Sequence, residues 1–409
     1  MIANARELFA GQPGWLKPLA VRTRRNFATR PDILALEDAL AEDSQLRNAL
    51  KKSTAKMVHV LAVRPIMRPL AGKPRDWKLP ELVSVGELAD WFGISWQRLE
   101  WLAGTRPANL PWSLHYNCRW IRKRIGLRLI ESPKPQLKWV QGQILDRLLS
   151  RIPIHDRAHG FCPKRGVLTY VQPHVGQACC LKMDLQHFFP SIRAGRVFRI
   201  FASAGYPRPV ARILTGLCTT ATDHQVLGQL AEHSPWGQGL QAIHAQPHLP
   251  QGAPTSPALA NLAAFRFDCR LAGLARSANF NYSRYADDLL FSGGEPLKRS
   301  WRRLQVTIGA IAIEEGFEVN FRKTQFMPSS QRQLAAGVVL NSRPNLRRVE
   351  YDRLRATLNN CIQLGPASQN REAVDDFRAH LLGKIGWVNQ LNSQRGEKLM
   401  QLFEQIEWS

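Results

Sequence analysis

The 409-residue sequence is short of several things, and each shortage removes a class of function. No apolar run is long enough to cross a bilayer as a helix, so no membrane partner is expected. The start, MIANARELFAGQPGW, lacks a basic stretch followed by an apolar one, so no secretory leader is expected. The seven cysteines are scattered, with no Cys-x-x-Cys pair, which fits reduced thiols in a cytoplasmic protein. His155, His159 and Cys162 lack a fourth zinc ligand at sensible spacing, so no metal is expected there. No internal repeat is visible. Acids are the scarce charge: 32 Asp and Glu stand against 56 Lys and Arg, a net charge of +24. The excess runs along the whole chain and points to a polyanionic partner, most simply a nucleic acid.

What is present begins with residues 1–80, a basic extension in which 21-VRTRRNFATR-30 carries four arginines and no acid. Leu34, Leu36, Leu40, Leu46 and Leu50 give residues 33–60 a helical period, and 71-AGKPRDWKLP-80 reads as a linker. Ser84 and Glu87 form a capping box ahead of Leu88, Ala89 and Phe92. After Gly93 a second helix carries Leu99 and Leu102. The pair has the spacing of a helix-turn-helix, but packing at a domain edge is the favoured reading, with Trp91, Trp96 and Trp101 filling gaps. Segment 119–133 reads as a cationic β-hairpin broken at Gly126, and Pro135–Ser150 as a helix. Residues 178–192 open as a strand. Residues 221–248, rich in Gln, His and Gly, read as a long loop. A helix over 256–275, a hairpin over 280–292, a helix around 297–315 and short strands near 317–340 follow. In the helical tail, Phe377, Leu381, Ile385 and Val388 make one apolar stripe.

Three acids carry the chemical interest. Asp287 and Asp288 sit where two strands of 282-YSRYADDLLFSG-293 join. Aspartates are common in turns for local hydrogen-bonding reasons, so this pair alone indicates only a turn. Asp184 lies on a strand that otherwise reads as buried, where an unpaired charge is costly. If that strand lies beside the hairpin, three carboxylates converge, and hard oxygen donors of this kind suit magnesium. Two such ions about 4 Å apart activate an attacking hydroxyl and stabilise a leaving pyrophosphate. The sequence permits this convergence without requiring it. Lys123, Arg124 and Arg128 are candidate phosphate contacts, or simply a solvated basic face.

In order along the chain, these segments resemble reverse transcriptases of the bacterial retron and group II intron lineages, from about residue 84 onward. The matching blocks are 126-GLRLI-130 with Pro133, 158-AHGF-161, 182-KMDLQHFFPSI-192, 249-LPQGAPTSPALAN-261, Tyr285-Ala286-Asp287-Asp288, Asn320 with Lys323-Thr324, and 337-GVVLN-341. The resemblance implies an α+β right-hand polymerase fold, with fingers over 81–178, an antiparallel-sheet palm over 179–343 and a helical thumb over 344–409, preceded by the mostly helical extension. It implies that Asp184, Asp287 and Asp288 hold two Mg2+ ions, for which Mn2+ can substitute. Lys123 and Arg128 would grip the triphosphate. Phe189 would exclude a 2′-hydroxyl, Gln251 and Gly252 would flank the incoming base, and Lys323 would sit near the phosphates. His174, Asn320 and Gly337 would contact primer or template.

The uninterrupted Gln251-Gly252-Ala253-Pro254-Thr255-Ser256-Pro257 is retron-like, and no maturase, DNA-binding or endonuclease extension is expected after the thumb. Two segments depart from the retron pattern. Thr169 and His174 stand without the usual Asn-Ala pair, and Ala335-Ala336-Gly337 replaces Val-Thr-Gly. The implied activity is RNA-directed DNA synthesis on a dedicated structured noncoding RNA, using deoxynucleoside triphosphates and yielding cDNA. The implied biology is antiphage defence, with a toxic effector protein as partner. A polymerase-inactive RNA-binding maturase or scaffold and a helix-turn-helix DNA-binding protein are the alternatives.

Overall fold

The computed structural model describes residues 14–27, 38–40, 42–52, 67, 77–104, 112–122, 127–231 and 237–408. Leu34 and Leu36, most of the 71–80 linker, Lys123, Arg124 and Gly126 lie outside the described residues. The chain divides into two compact units that alternate along the sequence: 1–152 with 193–256, and 153–192 with 257–409.

The first unit is built on a two-stranded hairpin, β1 (Tyr116–Arg122) and β2 (Leu127–Pro133), paired from Tyr116↔Pro133 to Arg122↔Leu127. On β2 the inward face is Leu129, Glu131 and Pro133, so an acid occupies a position the pleat reserves for apolar side chains. Helix Pro135–Arg147 follows, starting on a proline that fits the first helical turn, and it buries Leu137, Val140 and Ile144. The Ser84 side chain accepts from the Glu87 amide, and Glu87 accepts from the Val83 amide at 2.8 Å. The resulting helix, Val85–Phe92, ends on Gly93 in the left-handed conformation, and Trp96–Leu102 follows. Leu88, Ala89, Phe92, Leu99 and Leu102 are all buried. Helix Arg208–Cys218 lies directly on this pair. A Cβ on Gly216 would stand 2.2 Å from the Ala103 carbonyl oxygen. The helix pair is therefore a packing element. The basic extension is tied to it: helix Leu16–Arg25 places the Arg24 guanidinium 3.3 Å over the Trp96 ring and in an ion pair with Glu100. Within the extension, Arg22 makes a two-pronged ion pair with Asp43 at 2.8 and 2.9 Å.

Residues 221–248 are not the long loop their composition suggests. They contain helices His224–Ala231 and Gly237–His244. Leu227 is buried, and its carbonyl accepts from the Gln241 amide side chain at 2.9 Å. Gln and His are ordinary helix formers, and a few apolar contacts outweigh a loop-like composition.

The second unit holds a four-stranded antiparallel sheet in the order β4 (Asn281–Tyr285), β5 (Asp288–Gly293), β3 (Cys179–Asp184), β6 (Gln325–Pro328). β3 is central, and Cys179, Cys180, Leu181 and Met183 are buried, with the partly buried Lys182 interrupting the apolar run. Helices Phe265–Ser277 and Glu295–Glu314 pack on this sheet. The expected single helix over 256–275 is broken at Ala264 into Ser256–Ala263 and Phe265–Ser277. Short strands β7 (Leu334–Ala335), β8 (Val338–Val339) and β9 (Asn345–Leu346) form a separate small sheet. Helices Arg348–Leu364, Phe377–Leu391 and Ser393–Phe403 bury Tyr351, Leu354, Leu358, Leu381, Ile385, Val388, Leu399 and Phe403 in one core. Gly396 permits a close approach of the last two helices, since a Cβ there would meet Asn389 at 2.5 Å.

Candidate active site

Pairing β3 against β5 brings the three acids of the sequence together. Asp184 and Asp288 are register partners at the ends of the two strands. Asp287 precedes Asp288, and its carbonyl accepts from the Leu185 amide at 2.9 Å. The turn that presents Asp287 is strained, because Ala286 sits at a φ of +54°. Two features hold it. Arg284, fully buried, donates to the Ala286 carbonyl at 2.9 Å. Gly160 lies against the turn so closely that a Cβ there would stand 2.7 Å from the Ala286 nitrogen. The Arg284 charge is matched by buried Asp268, through two hydrogen bonds of 2.8 and 2.7 Å, and Tyr282 donates to the same carboxylate at 2.8 Å.

Two lysines face the acids. Lys323 Nζ lies 2.9 and 3.0 Å from the two oxygens of Asp184, and Lys182 Nζ lies 3.3 Å from Asp288 Oδ1. The Asn320 amide donates to the Asp184 carbonyl at 2.7 Å, which fixes the short helical turn carrying Lys323. Burial pushes the Asp287 carboxyl above the usual range, and the neighbouring Asp184 and Asp288 charges push it further. Burial also raises Asp288, against the pull of Lys182. Two carboxyls that resist ionisation, Asp287 and Asp288, beside a third acid and two lysine ammonium groups make a cluster suited to a divalent cation. The donors are all hard oxygens, and each lysine marks where positive charge is favoured.

The remaining predicted residues fall in different settings. Phe189 is half-buried, its ring 6.2 Å from that of exposed Phe161 and 5.5 Å from buried Phe188. His174 is fully buried. Its ring nitrogens lie 2.7 Å from Ser292 Oγ and 2.8 Å from Ser283 Oγ, so it braces β4 against β5, and burial lowers its pKa to about 3. Thr169 accepts from the Gly166 amide and contacts His159 Nδ1, both at 2.9 Å. Gly337 lies in the β7–β8 turn at a φ of +81°, beside Ala336 at +45°. In the first unit, Arg128 is exposed on β2. The Gln251 carbonyl accepts from the Glu131 amide at 2.9 Å. Gly252 has a φ of +137°, and a Cβ there would stand 3.0 Å from the Glu131 carbonyl oxygen. His155, His159 and Cys162 form no three-donor group among the described residues.

Sequence reasoning missed the supports. Ala264, Asp268, Leu271 and Ala275 form one buried helical stripe, and the acid within it was a legible signal that a buried cation awaited. Gly160 and Lys182 lie within the matching blocks 158–161 and 182–192, where no local pattern marks them as supports.

The family described as reverse transcriptase (RNA-dependent DNA polymerase) matches residues 121–339, over half of the chain. Retron Mx65 reverse transcriptase of Myxococcus xanthus is 39% identical over 70% of this chain and 63% of its own length. Retron Mx162 reverse transcriptase, from the same organism, is 32% identical over 80% of this chain and 68% of its own length. Retron Ec86 reverse transcriptase of Escherichia coli is 29% identical over 69% of this chain and 77% of its own length. The match thus spans somewhat less than two thirds of the Mx65 enzyme. Among solved structures, a telomerase from Candida tropicalis aligns over 76% of this chain and 62% of that chain, at 9% identity and a TM-score of 0.39, too distant to bear on the site. Among the described residues no helix is long and apolar enough to cross a membrane. The matched span and the retron relatives, with a mixed helix-and-sheet fold, establish that this chain belongs to the reverse transcriptase family as a retron-type member.

Proposed function

We propose that the chain is an RNA-directed DNA polymerase that copies a dedicated structured noncoding RNA into cDNA, in a retron-like antiphage system of the cytoplasm. The observation that carries the reading is the registered pair Asp184 and Asp288, with Asp287 on the adjoining turn and Lys323 bridging both oxygens of Asp184. Asp184, Asp287 and Asp288 would hold two Mg2+ ions. When bound, these ions lower the pKa of the primer hydroxyl and offset charge on the departing pyrophosphate. The chain's own residues do the rest. Lys323, with a largely exposed side chain, can exchange Asp184 for a substrate phosphate and follow the charge that develops there. Lys182 stays with Asp288 and limits the net negative charge of the cluster. Phe189 supplies an apolar ring where a ribose 2′-hydroxyl would need a polar partner, so deoxynucleotides are favoured.

We assign Lys123, Arg128, Gln251 and Gly252 to the incoming deoxynucleoside triphosphate, and Asn320 and Gly337 to primer or template. His174 is a brace in this reading and contacts neither strand. Fingers over 81–178, a palm over 179–343 and a thumb over 344–409 remain the organisation we propose. A toxic effector protein as partner would complete a defence system. The net charge of +24 supports a nucleic-acid partner of this kind.

The test is to purify the protein with its bound RNA, add Mg2+ and labelled deoxynucleotides, and sequence the product. Labelled cDNA complementary to the co-purifying RNA is expected from the wild type and not from Asp287→Asn. No product from wild type, or equal product from both, refutes the proposal. Plaque counts with the intact locus against the same substitution test the defence role, and equal protection would remove it.

A further inference from the structure

A second cluster of metal-ligating side chains lies in the first unit, apart from the three aspartates. Glu131 on β2, His244 at the end of helix Gly237–His244, and His248 four residues on are all buried. One donor atom from each lies within 4.8 Å of the others. His248 Nε2 is 2.9 Å from Glu131 Oε2 and 3.2 Å from His244 Nδ1, and His244 Nδ1 is 3.9 Å from Glu131 Oε2. A tetrahedral ion with bonds of about 2.0–2.1 Å keeps its donors about 3.3 Å apart, and these three separations bracket that value.

The outer partners are those a metal site uses. His248 Nδ1 lies 2.7 Å from the Gln246 carbonyl, a contact that needs a ring N–H there. In a neutral ring this leaves Nε2 as a lone pair, facing a carboxylate oxygen and a second imidazole nitrogen. Glu131 Oε1 accepts from the Thr222 hydroxyl at 2.7 Å, which orients the carboxylate and leaves Oε2 toward the histidines. The backbone fixes both histidines. The Thr222 amide donates to the His244 carbonyl at 2.9 Å, and Thr220 and His248 exchange amide hydrogen bonds of 3.0 and 2.9 Å.

We propose that Glu131, His244 and His248 bind a zinc ion, with a water molecule in the fourth position. Two imidazoles and one carboxylate in a buried setting suit zinc and not magnesium, which keeps hard oxygen ligands and several waters. The ion would anchor β2 to the segment that leads into Leu249–Gly252. The Glu131 main chain already holds that segment, through its amide on the Gln251 carbonyl and its carbonyl against Gly252. Zinc would thereby set the position of Gln251 and Gly252 without touching substrate.

The test uses the full chain, purified without chelator and freed of any histidine tag, with metal content measured by plasma mass spectrometry after dialysis against Zn2+. About one zinc per chain is expected in wild type and in Asp287→Asn, and none in the double variant His244→Gln, His248→Gln. A wild-type chain that holds no zinc overturns the proposal and leaves a buried proton-sharing network in its place. Equal zinc in the double variant also overturns it. Should that variant not fold, Co2+ loaded into the wild-type chain decides: visible bands of a tetrahedral ion are expected, and their absence counts against the site. Because Asp287→Asn keeps its zinc, failure here is distinct from failure of the polymerase reading.

Discussion

The carboxylate cluster at the β4–β5 turn and the Glu131–His244–His248 cluster are two answers to the same cost, that of burying an acid. At the turn, three acids crowd together and one compensating charge is free to leave: Lys323 reaches Asp184 with a largely exposed side chain, while the less exposed Lys182 stays with Asp288. Around Glu131 the compensation is fixed, with buried imidazoles, a threonine hydroxyl and main-chain carbonyls locked in place. In the proposed reaction a cation that can leave makes room for substrate phosphate. Side chains fixed by burial and hydrogen bonds stay in place, so that arrangement serves architecture. The contrast teaches that a buried acid marks chemistry when its partners can leave, and structure when they cannot.

The largest effect should come from breaking the exchangeable cluster. Asp184→Asn should lower nucleotide incorporation by about 10³-fold or more, equivalent to about 4 kcal/mol of barrier. The melting temperature should scarcely move, because the substitution removes one of three crowded like charges. A melting temperature that collapses along with activity would make Asp184 structural and erase the contrast.

A fixed ion pair should behave in the opposite way. Arg284→Met leaves the buried Asp268 without its counter-charge, with only the Tyr282 hydroxyl still donating to it, at a cost of about 3–5 kcal/mol seen by denaturant unfolding. A change below about 1 kcal/mol would mean that the Ala286 turn does not depend on this support.

The next effect is a pH dependence of stability from His174. Its folded pKa, about 3, lies below the ordinary 6.5, so the unfolded chain binds the extra proton between these values. His174 therefore leaves stability unaffected above about pH 6.5 and reduces it progressively as pH falls toward 3. Unfolding curves for His174→Asn should show a shallower acid slope over that window, and an unchanged slope would refute the brace assigned to it.

The smallest effect is on specificity. Phe189→Ala should reduce the preference for deoxynucleotides over ribonucleotides by about tenfold or more, read as a ratio of kcat/KM values. Unchanged preference would release Phe189 from the sugar.

What was legible in the sequence followed from short-range pattern. Alternation gave the β1–β2 and β4–β5 hairpins, the apolar stripe gave helix Phe377–Leu391, and Ser84 with Glu87 gave a helix start. The three acids were visible as residues, but their convergence depends on β3 entering the sheet between β5 and β6, a long-range pairing that no local pattern specifies. The helices at 224–231 and 237–244 were hidden by a composition of Gln, His and Gly, and with them the partners of Glu131. His174 was assigned a surface task from block order, whereas its burial is set by Ser283 and Ser292, more than 100 residues away. The alternation of the two compact units along the chain is likewise a long-range property.

The central claim is that the acids at the β4–β5 turn form a metal-dependent polymerising centre. The most direct measurement is extension of a DNA primer on an RNA template, with deoxynucleotides, across a Mg2+ titration, using wild type and Asp287→Asn of matched melting temperature. Mg2+-dependent extension by wild type alone is predicted. Extension by Asp287→Asn at the wild-type rate, or by wild type in excess chelator, would contradict the account.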